Sequence, residues 1–298
     1  MLDKIRANIV FKNYLKRPNI NKAYAMVKTT DSWYDTITKI HNSLKRIQAL
    51  PHDIIEITSH DNLKLKGVYY PSDKKSNVTV ICVHGYASHA EREWAFPGLY
   101  YLSLGYNVLI TYHRAHGLSE GKYFTFGALE YKDMLKWVSK INEMNPNDNI
   151  IIHGLSIGGK IALDLADKNM KNVKGIIADA ARVSIEGFFK AVTQQMYKKS
   201  SDKVMLYFNE RLNQEFGVDI KEYETINIVS NSKYPIFLTA GSSENREEIY
   251  MKIKDVNPKY TEIVILPGCG HGNGMYKQTD MYQSALKEFI NKKALARM

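Results

Sequence analysis

Residues 149–159 of this 298-residue chain read NIIIHGLSIGG. The run at 149–153 is short, apolar and β-branched, which is typical of a buried strand, and the segment at 160–165 has helical spacing. The stretch between them predicts a sharp turn from a strand into a helix. Gly154 and Gly158 lack side chains that would collide with the neighbouring strand and helix, so the turn can hold Ser156 strained and exposed. Ser156 is therefore the candidate nucleophile.

Short apolar runs alternate with helix-period segments on both sides of this turn. Strands are predicted at 78–83, 107–111, 149–153, 173–178, 236–240 and 262–266, and helices near 91–103, 127–144, 157–169, 245–254 and 276–293. Continuous apolar strands separated by helices predict an α/β fold with a mostly parallel sheet covered on both faces. Two further strands, at 54–58 and 63–69, predict an antiparallel hairpin at its edge.

The connection at 184–232 interrupts this alternation. It is about fifty residues long and carries aromatic residues and methionines at helical spacing, and connections of that length are usually functional or form a small subdomain. We expect a helical cap over the carboxyl edge of the sheet, where parallel sheets place their chemistry. A purely structural insertion is the alternative.

His271 is the candidate general base. A serine hydroxyl is a weak nucleophile until a base accepts its proton. His271 lies in the small-residue loop GCGHG at 268–272, between the last predicted strand and the last helix, and no other histidine follows Ser156. A lone histidine is more often structural, but the small neighbours would let this ring approach Ser156.

Two carboxylates are candidates for the group that orients the histidine. Glu244 lies three residues after Gly241, in the loop that follows the strand at 236–240, and from there it can reach back to hold the imidazole tautomer. Asp179, at the carboxyl end of the preceding strand, is the alternative, although such a residue can simply cap a loop. We prefer Glu244.

Acyl transfer also requires amide donors where an oxyanion develops. We expect the backbone N–H of Ile157, directly after the serine, and that of Tyr86, in the loop after the strand at 78–83. His84 is expected to order that loop. His113 and His116 have no acidic or cysteine ligands at metal spacing, and the glycine-rich loop near His271 lacks the dinucleotide-binding order, so we predict no metal and no cofactor.

The composition is that of a globular protein, with 44% hydrophobic and 11% aromatic residues, which argues against extensive disorder. No apolar stretch reaches eighteen residues, so we expect neither a transmembrane helix nor a signal peptide. Cys82 and Cys269 are not paired by spacing, which agrees with a reducing compartment. A cytoplasmic location is the expectation.

The net charge of +10 is concentrated near the start of the chain. Residues 1–50 carry ten Lys or Arg against three Asp, at helical apolar spacing. We therefore divide the chain into a basic helical N-terminal segment, 1–50, and a domain at 51–298 containing the cap. Such a charge excess can hold a protein weakly to an anionic membrane surface. A solvated helical face is the simpler interpretation. We expect no nucleic-acid partner, and the sequence makes no prediction about the oligomeric state.

Together these motifs resemble the α/β-hydrolase superfamily, and more narrowly the Firmicutes cell-surface or extended-family hydrolases related to serine aminopeptidases and acyl-peptide hydrolases. The similarity runs over 54–290, and its specific parts besides the elbow are SHDNLKL at 59–65, RAHGLSEGKY at 114–123 and IIAD at 176–179. The resemblance implies an eight-stranded sheet, a cap after the sixth strand and a Ser-His-acid triad. The family tends to have aspartate where Tyr112 and Glu244 stand. Many relatives begin with a membrane-spanning segment, whereas this chain has the basic one.

The sequence thus predicts a serine hydrolase that cleaves a carboxylic ester or thioester through an acyl-enzyme on Ser156. The aromatic and Met-rich cap favours a hydrophobic acyl or aryl group. An aminopeptidase or acyl-peptide hydrolase on the same fold, acting on an amide, is one alternative. A non-catalytic binding protein that works through residues 1–50 is the other, because fold does not determine function.

Overall fold

The computed structural model describes residues 1–21, 31–34, 36–74 and 77–296. One sheet contains eight strands: β1 (Asp53–Thr58), β2 (Lys64–Tyr70), β3 (Val78–Val83), β4 (Asn107–Thr111), β5 (Asn149–Leu155), β6 (Val173–Asp179), β7 (Ile236–Gly241) and β8 (Thr261–Leu266). The strand order is β1-β2-β4-β3-β5-β6-β7-β8. β2 pairs antiparallel with β1 and β4, and every other pair is parallel. The predicted hairpin and mostly parallel eight-stranded sheet are confirmed.

The helices follow the strands in alternation. They are α1 (Leu2–Leu15), α2 (Asp31–Tyr34), α3 (Ile37–Gln48), α4 (Ala90–Ser103), α5 (Glu130–Met144), α6 (Ile157–Leu163), α7 (Ile185–Tyr197), α8 (Ser201–Phe216), α9 (Thr225–Ser230), α10 (Glu247–Val256), α11 (Gly274–Lys277) and α12 (Thr279–Phe289). Short 3₁₀ turns lie at Lys198–Ser200, Ile220–Glu222 and Ser242–Glu244, and a π turn at Ile290–Ala294. Over the described ranges, none of these helices combines the length and the apolarity that crossing a membrane requires.

The central strands are buried on both faces. Along β3, Ile81 and Val83 belong to one hydrophobic cluster, with residues of α5, α6, α10 and the cap, whereas Val80 and Cys82 belong to the other, with residues of α4 and α12. Side chains alternate across a strand, so a continuous apolar run is what two covered faces require. This places the carboxyl ends of β3, β5, β6 and β7 at one edge of a rigid, two-sided core.

The connection between β6 and β7 forms the helical cap, built from α7, α8 and α9. Phe189 of α7 and Phe208 of α8 are both buried, with ring centroids 4.4 Å apart, and they pack into the same cluster as the sheet. The cap is therefore joined to the body through a shared core.

Several predicted helix boundaries differ from the structure, and three of the differences are informative. The helix predicted to begin at 127 begins at Glu130, whose carboxylate accepts hydrogen bonds from the amides of Thr125 and Gly127 and so holds the preceding loop in a non-helical form. The helix predicted to run to 169 ends at Leu163, and turns follow. The helix predicted at 276–293 is interrupted at Gln278, where φ is −114° and ψ is 49°.

The N-terminal segment packs against both parts of the molecule. One face of α1, with Val10 and Phe11, is buried against α8 of the cap, and the Phe11 ring stacks on Phe216 at 5.9 Å between centroids. α3 packs against α4 of the body. The helices predicted there are confirmed over α1, α2 and α3, whereas the part of the prediction at 22–30 and 35 lies outside the described residues. The division at residue 50 stays a prediction.

Candidate active site

The turn between β5 and α6 holds Ser156 in a conformation with positive φ, at φ 58° and ψ −115°. A non-glycine residue rarely adopts a positive φ, and such strain is found mainly at functional sites. A Cβ on Gly154 would overlap the carbonyl of Gly158, and a Cβ on Gly158 would overlap the carbonyl of Val83. Only glycines allow the helix to start this close to the strands, which is the physical reason for the motif.

His271 and Ser156 are within hydrogen-bond distance. The Nε2 atom of His271 lies 2.9 Å from Oγ of Ser156, and its Nδ1 atom lies 2.5 Å from Oε2 of Glu244. The loop that carries the ring is tied down from both sides, because Ser243 donates through Oγ to the carbonyl of Cys269 and Asn273 accepts from the amide of Gly270. The side chain of His271 is 44% exposed, so solvent and small molecules reach it.

Glu244 is well placed to accept a hydrogen bond from an N–H group of the imidazole. Its carboxylate also accepts from the amide of Gly241 at 3.0 Å and from Nε of Arg246 at 3.1 Å. Burial alone would raise the pKa of Glu244, but the hydrogen bonds from His271 and Gly241 and the charge of Arg246 outweigh it and hold the pKa below its usual value. Glu244 is therefore a carboxylate that can only accept, which means that Nδ1 of His271 carries the proton.

Asp179 lies elsewhere in the network. Its backbone carbonyl accepts the amide of Ser156, but its buried carboxylate accepts a hydrogen bond from the hydroxyl of Tyr282 at 2.9 Å. Burial raises the pKa of Asp179 to about 7, although Tyr282 opposes the shift. Of the two candidate acids, the structure brings Glu244 and not Asp179 to the imidazole.

Tyr86 and Ile157 line the same cavity as Ser156 and His271. Ile157 is the first residue of α6, and the first amides of a helix have no acceptor within it. In the described part of the chain, no acceptor is found for the amide of Tyr86 either. Both amides are thus available at the positions that the sequence predicted. The side-chain hydroxyl of Tyr86 points away and donates to the carbonyl of Tyr14 at the end of α1.

Three buried histidines brace the loop that carries Tyr86. His84 accepts from the amide of His113, the Nε2 atom of His113 contacts the carbonyl of His84, and Nε2 of His116 accepts from the amide of Ala87. Burial lowers the pKa of His113 to about 4 and that of His116 to about 3. These rings are therefore neutral at neutral pH: His84 and His116 accept through Nε2, whereas Nε2 of His113 donates to the carbonyl of His84. The predicted ordering role of His84 agrees with this arrangement, whereas the bracing by His113 and His116 was missed.

Glu93 is a second brace that the sequence did not reveal. It lies on α4, and its Oε1 atom accepts from the amide of Gly85 at 2.8 Å, directly before Tyr86. Burial raises the pKa of Glu93 from 4.5 to about 7, although Ser88 and Gly85 donate to it. No local signal marks this residue, because its role depends on α4 packing beside the loop.

A cavity of about 360 Å³ opens onto Ser156 and His271. That volume is in the usual range for a small-molecule site. Its wall is largely apolar, with a few polar and charged groups. The residues that line it are Trp33, Ile40, Gly85, Tyr86, Ala87, Ser88, His89, Arg92, Glu93, Phe126, Leu155, Ser156, Ile157, Arg182, Phe188, His271, Gly272 and Tyr276. Trp33 and Ile40 come from the N-terminal segment and Phe188 from the cap. Sequence reasoning missed that the first fifty residues contribute to this wall.

One cluster elsewhere has metal-ligand chemistry. Ligand atoms of His60, Asp61 and Asp133 lie within 4.8 Å of one another. The guanidinium of Arg114 donates to both carboxylates, at 2.7 to 3.0 Å. An arginine already supplies the positive charge between these acids, so the cluster is explained as an ion-pair network.

Comparisons with known proteins agree with this architecture. A family model described as serine aminopeptidase, S33, matches residues 74–236, more than half of the chain. The uncharacterized protein YqkD of Bacillus subtilis is 23% identical over 259 residues, which cover 84% of this chain and 83% of that protein.

Solved structures of hydrolases are also similar. The Pyrococcus furiosus esterase Pf2001 superimposes with a TM-score of 0.65 and 26% identity, covering 84% of this chain and 94% of the esterase. The Pyrococcus horikoshii acylaminoacyl peptidase superimposes with a TM-score of 0.58 and 16% identity, covering 84% of this chain and 43% of the peptidase. This likeness is one of fold alone. This chain therefore belongs to the serine aminopeptidase S33 family of α/β hydrolases.

Proposed function

We propose that this protein is a serine hydrolase that cleaves carboxylic esters or thioesters through an acyl-enzyme on Ser156. The observation that carries the proposal is the continuous hydrogen-bonded chain from Glu244 through His271 to Ser156, which ends at the wall of an open cavity. Geometry of this kind is what an activated serine requires.

In the proposed mechanism, the hydroxyl of Ser156 donates to Nε2 of His271, which takes the proton as Oγ attacks the carbonyl carbon. Glu244 accepts from Nδ1, keeps the ring in the required tautomer and stabilises the imidazolium. The amides of Tyr86 and Ile157 donate to the oxyanion. His271 then protonates the leaving group, and water, activated by the same ring, releases the acid from Ser156. The cycle is complete without a cofactor.

Aromatic and aliphatic side chains in the cavity support a substrate with an apolar acyl or aryl part. Phe126 and Phe188 stack at 5.1 Å between centroids, and Trp33 lies edge-on to Tyr276 at 5.9 Å. Flat rings bury apolar surface at low entropic cost, so they suit a small hydrophobic group next to the scissile bond.

An aminopeptidase on the same fold is the nearer alternative, since the family is named for that activity. An aminopeptidase must bind the free ammonium group of its substrate. Among the described residues, the cavity wall carries the cations Arg92 and Arg182 and one carboxylate, Glu93, whose pKa is raised to about 7 by burial. Like charges repel in a low-dielectric site, so this wall favours acyl substrates over free amines.

A membrane surface is the second element of the proposal. The outer face of α1 exposes Leu2, Ile5 and Ile9, opposite the buried face with Val10 and Phe11. The same stripe continues with the exposed Lys12 and Lys16. Apolar residues beside lysines are typical of helices that lie at an anionic lipid surface, and we propose weak, peripheral binding there.

Turnover of matched substrates tests the hydrolase proposal. We expect the purified protein to hydrolyse p-nitrophenyl butyrate with a kcat/KM far above that for aminoacyl p-nitroanilides. Ser156→Ala and His271→Ala should each reduce ester turnover by at least about 10³-fold. Faster cleavage of the anilides would favour the aminopeptidase. Equal ester turnover by Ser156→Ala would favour a binding protein that works through residues 1–50.

A further inference from the structure

Arg182 brings a positive charge to the cavity that contains the nucleophile. It lies three residues beyond the end of β6, and its amide donates to the carbonyl of Ser156 at 3.3 Å. The residue is partly exposed and partly covered, and it lines the cavity that contains Ser156 and His271. A group bound by this guanidinium would therefore lie close to the scissile bond.

The guanidinium is oriented by the cap. Its Cζ atom lies 5.2 Å from the centroid of the Phe188 ring. Contact with an aromatic face limits the freedom of the side chain, and the guanidinium retains N–H donors for a ligand. The arginine is thus arranged to bind a ligand before the ligand arrives.

Within the described part of the chain, Arg182 forms no ion pair. The acid that most affects it, Glu244, already accepts from Gly241, His271 and Arg246. Arg92 also lines the cavity. Burial is the main cause that lowers the pKa of Arg182, and the charge of nearby Arg246 lowers it further. Arg92 and Arg182 on the wall of one apolar cavity create a local field that favours an anion.

We propose that Arg182 binds a carboxylate of the substrate, so that the preferred substrates are esters carrying a second, free carboxylate near the scissile bond. A carboxylate matches the planar donor fork of arginine and can accept two parallel hydrogen bonds. The inference rests on the proposed function, since it assigns the ester carbonyl to Ser156. Arg182 then determines specificity, whereas Phe188 positions it.

Paired substrates with and without a free carboxylate test this inference. Monoethyl adipate carries a free carboxylate on the acyl side, and diethyl adipate does not. On the alcohol side, 4-carboxyphenyl butyrate carries one, and phenyl butyrate does not. We expect the anionic member of at least one pair to be preferred by the wild type. Arg182→Gln should raise the KM of that ester about 10- to 100-fold with little change in kcat. The neutral partner should change by less than about threefold.

Two further variants separate local recognition from general charge. Arg182→Lys keeps the charge but loses the planar fork, so it should recover only part of the preference. Lys190→Gln removes one charge from the exposed surface of α7, outside the cavity, and should behave like the wild type toward every ester. If Arg182→Gln changes both members of each pair equally, or if the wild type shows no preference for either anion, the inference is wrong.

A binding measurement keeps this test independent of catalysis. Calorimetry with the preferred anionic ester and the Ser156→Ala variant should give a Kd that rises about 10- to 100-fold when Arg182→Gln is added. Binding that depends on Arg182 without any turnover by the wild type would contradict the hydrolase and retain the carboxylate site. Turnover without a charge preference would contradict the carboxylate site and retain the hydrolase.

Discussion

At the scale of single residues, the site depends on what each polar group is allowed to contact. Glu244 and Asp179 are both carboxylates near the ends of neighbouring strands. Hydrogen bonds hold the pKa of Glu244 below its usual value, whereas burial raises the pKa of Asp179 to about 7. The first can stabilise an imidazolium, whereas the second, bonded to Tyr282, serves the core. Environment, and not residue type, distinguishes the two.

This distinction predicts different effects of removing each charge. Glu244→Gln keeps the size of the side chain but cannot stabilise the imidazolium, so we expect kcat to fall about 10³- to 10⁴-fold. Asp179→Asn retains an acceptor for Tyr282 and should reduce kcat by less than about tenfold. Steady-state kinetics on one activated ester measures both. The opposite ranking would make Asp179 the acid of the triad.

Glu93 predicts a pH dependence of stability. Its pKa is raised from 4.5 to about 7, so the folded state holds a proton that the unfolded chain releases between these values. The stability due to Glu93 is therefore complete below about pH 4.5 and is lost as the pH rises through about 7. Asp179, whose pKa is also about 7, contributes with the same sign and remains in both proteins under comparison.

The variant Glu93→Gln cannot titrate, so it should not lose this stability as the pH rises. We expect Glu93→Gln to gain free energy of unfolding relative to the wild type between pH 5 and pH 8, on the order of 1 kcal/mol, because the residue borders an open cavity that reduces the burial effect. Urea unfolding of both proteins at each pH measures the difference. A constant difference across this range would mean that Glu93 titrates normally.

At the scale of elements, α1 contacts two parts of the molecule and leaves one face exposed. Its inner face packs on α8 of the cap, the carbonyl of Tyr14 accepts the hydroxyl of Tyr86, and its outer face exposes Leu2, Ile5 and Ile9. The proposed role of this exposed face is contact with lipid, the partner that its lysines favour.

Vesicle sedimentation tests this role of α1. We expect the wild type to bind vesicles that contain phosphatidylserine, with release at high salt, and to bind neutral phosphatidylcholine vesicles less. Replacing Ile5 and Ile9 by Gln should weaken binding about tenfold or more. Replacing the equally exposed Met251 and Met281 of the body should have no effect. Equal binding of both double variants would exclude α1 as the contact.

At the scale of the whole molecule, the parts predicted from sequence were those with local causes. The strands follow from short apolar runs, and Ser156, His271 and Glu244 from their places after predicted strands. The apposition of these three residues is in the structure, and their catalytic roles remain proposals.

The parts that were missed depend on packing between distant segments. Trp33 and Ile40 reach the cavity because the N-terminal segment packs on α4 and the cap, and Glu93 braces Tyr86 because α4 lies beside the loop. Helical periodicity describes only which face of a helix is apolar. It contains no information on which distant surface that face will meet.

The most direct test of the whole account is covalent labelling by a fluorophosphonate, with the modified peptide identified by mass spectrometry. The account predicts one adduct, on Ser156, that is lost in Ser156→Ala and formed far more slowly in His271→Ala. An adduct on another residue, or no adduct on the wild type while its cavity admits the probe, would contradict an activated serine at this site.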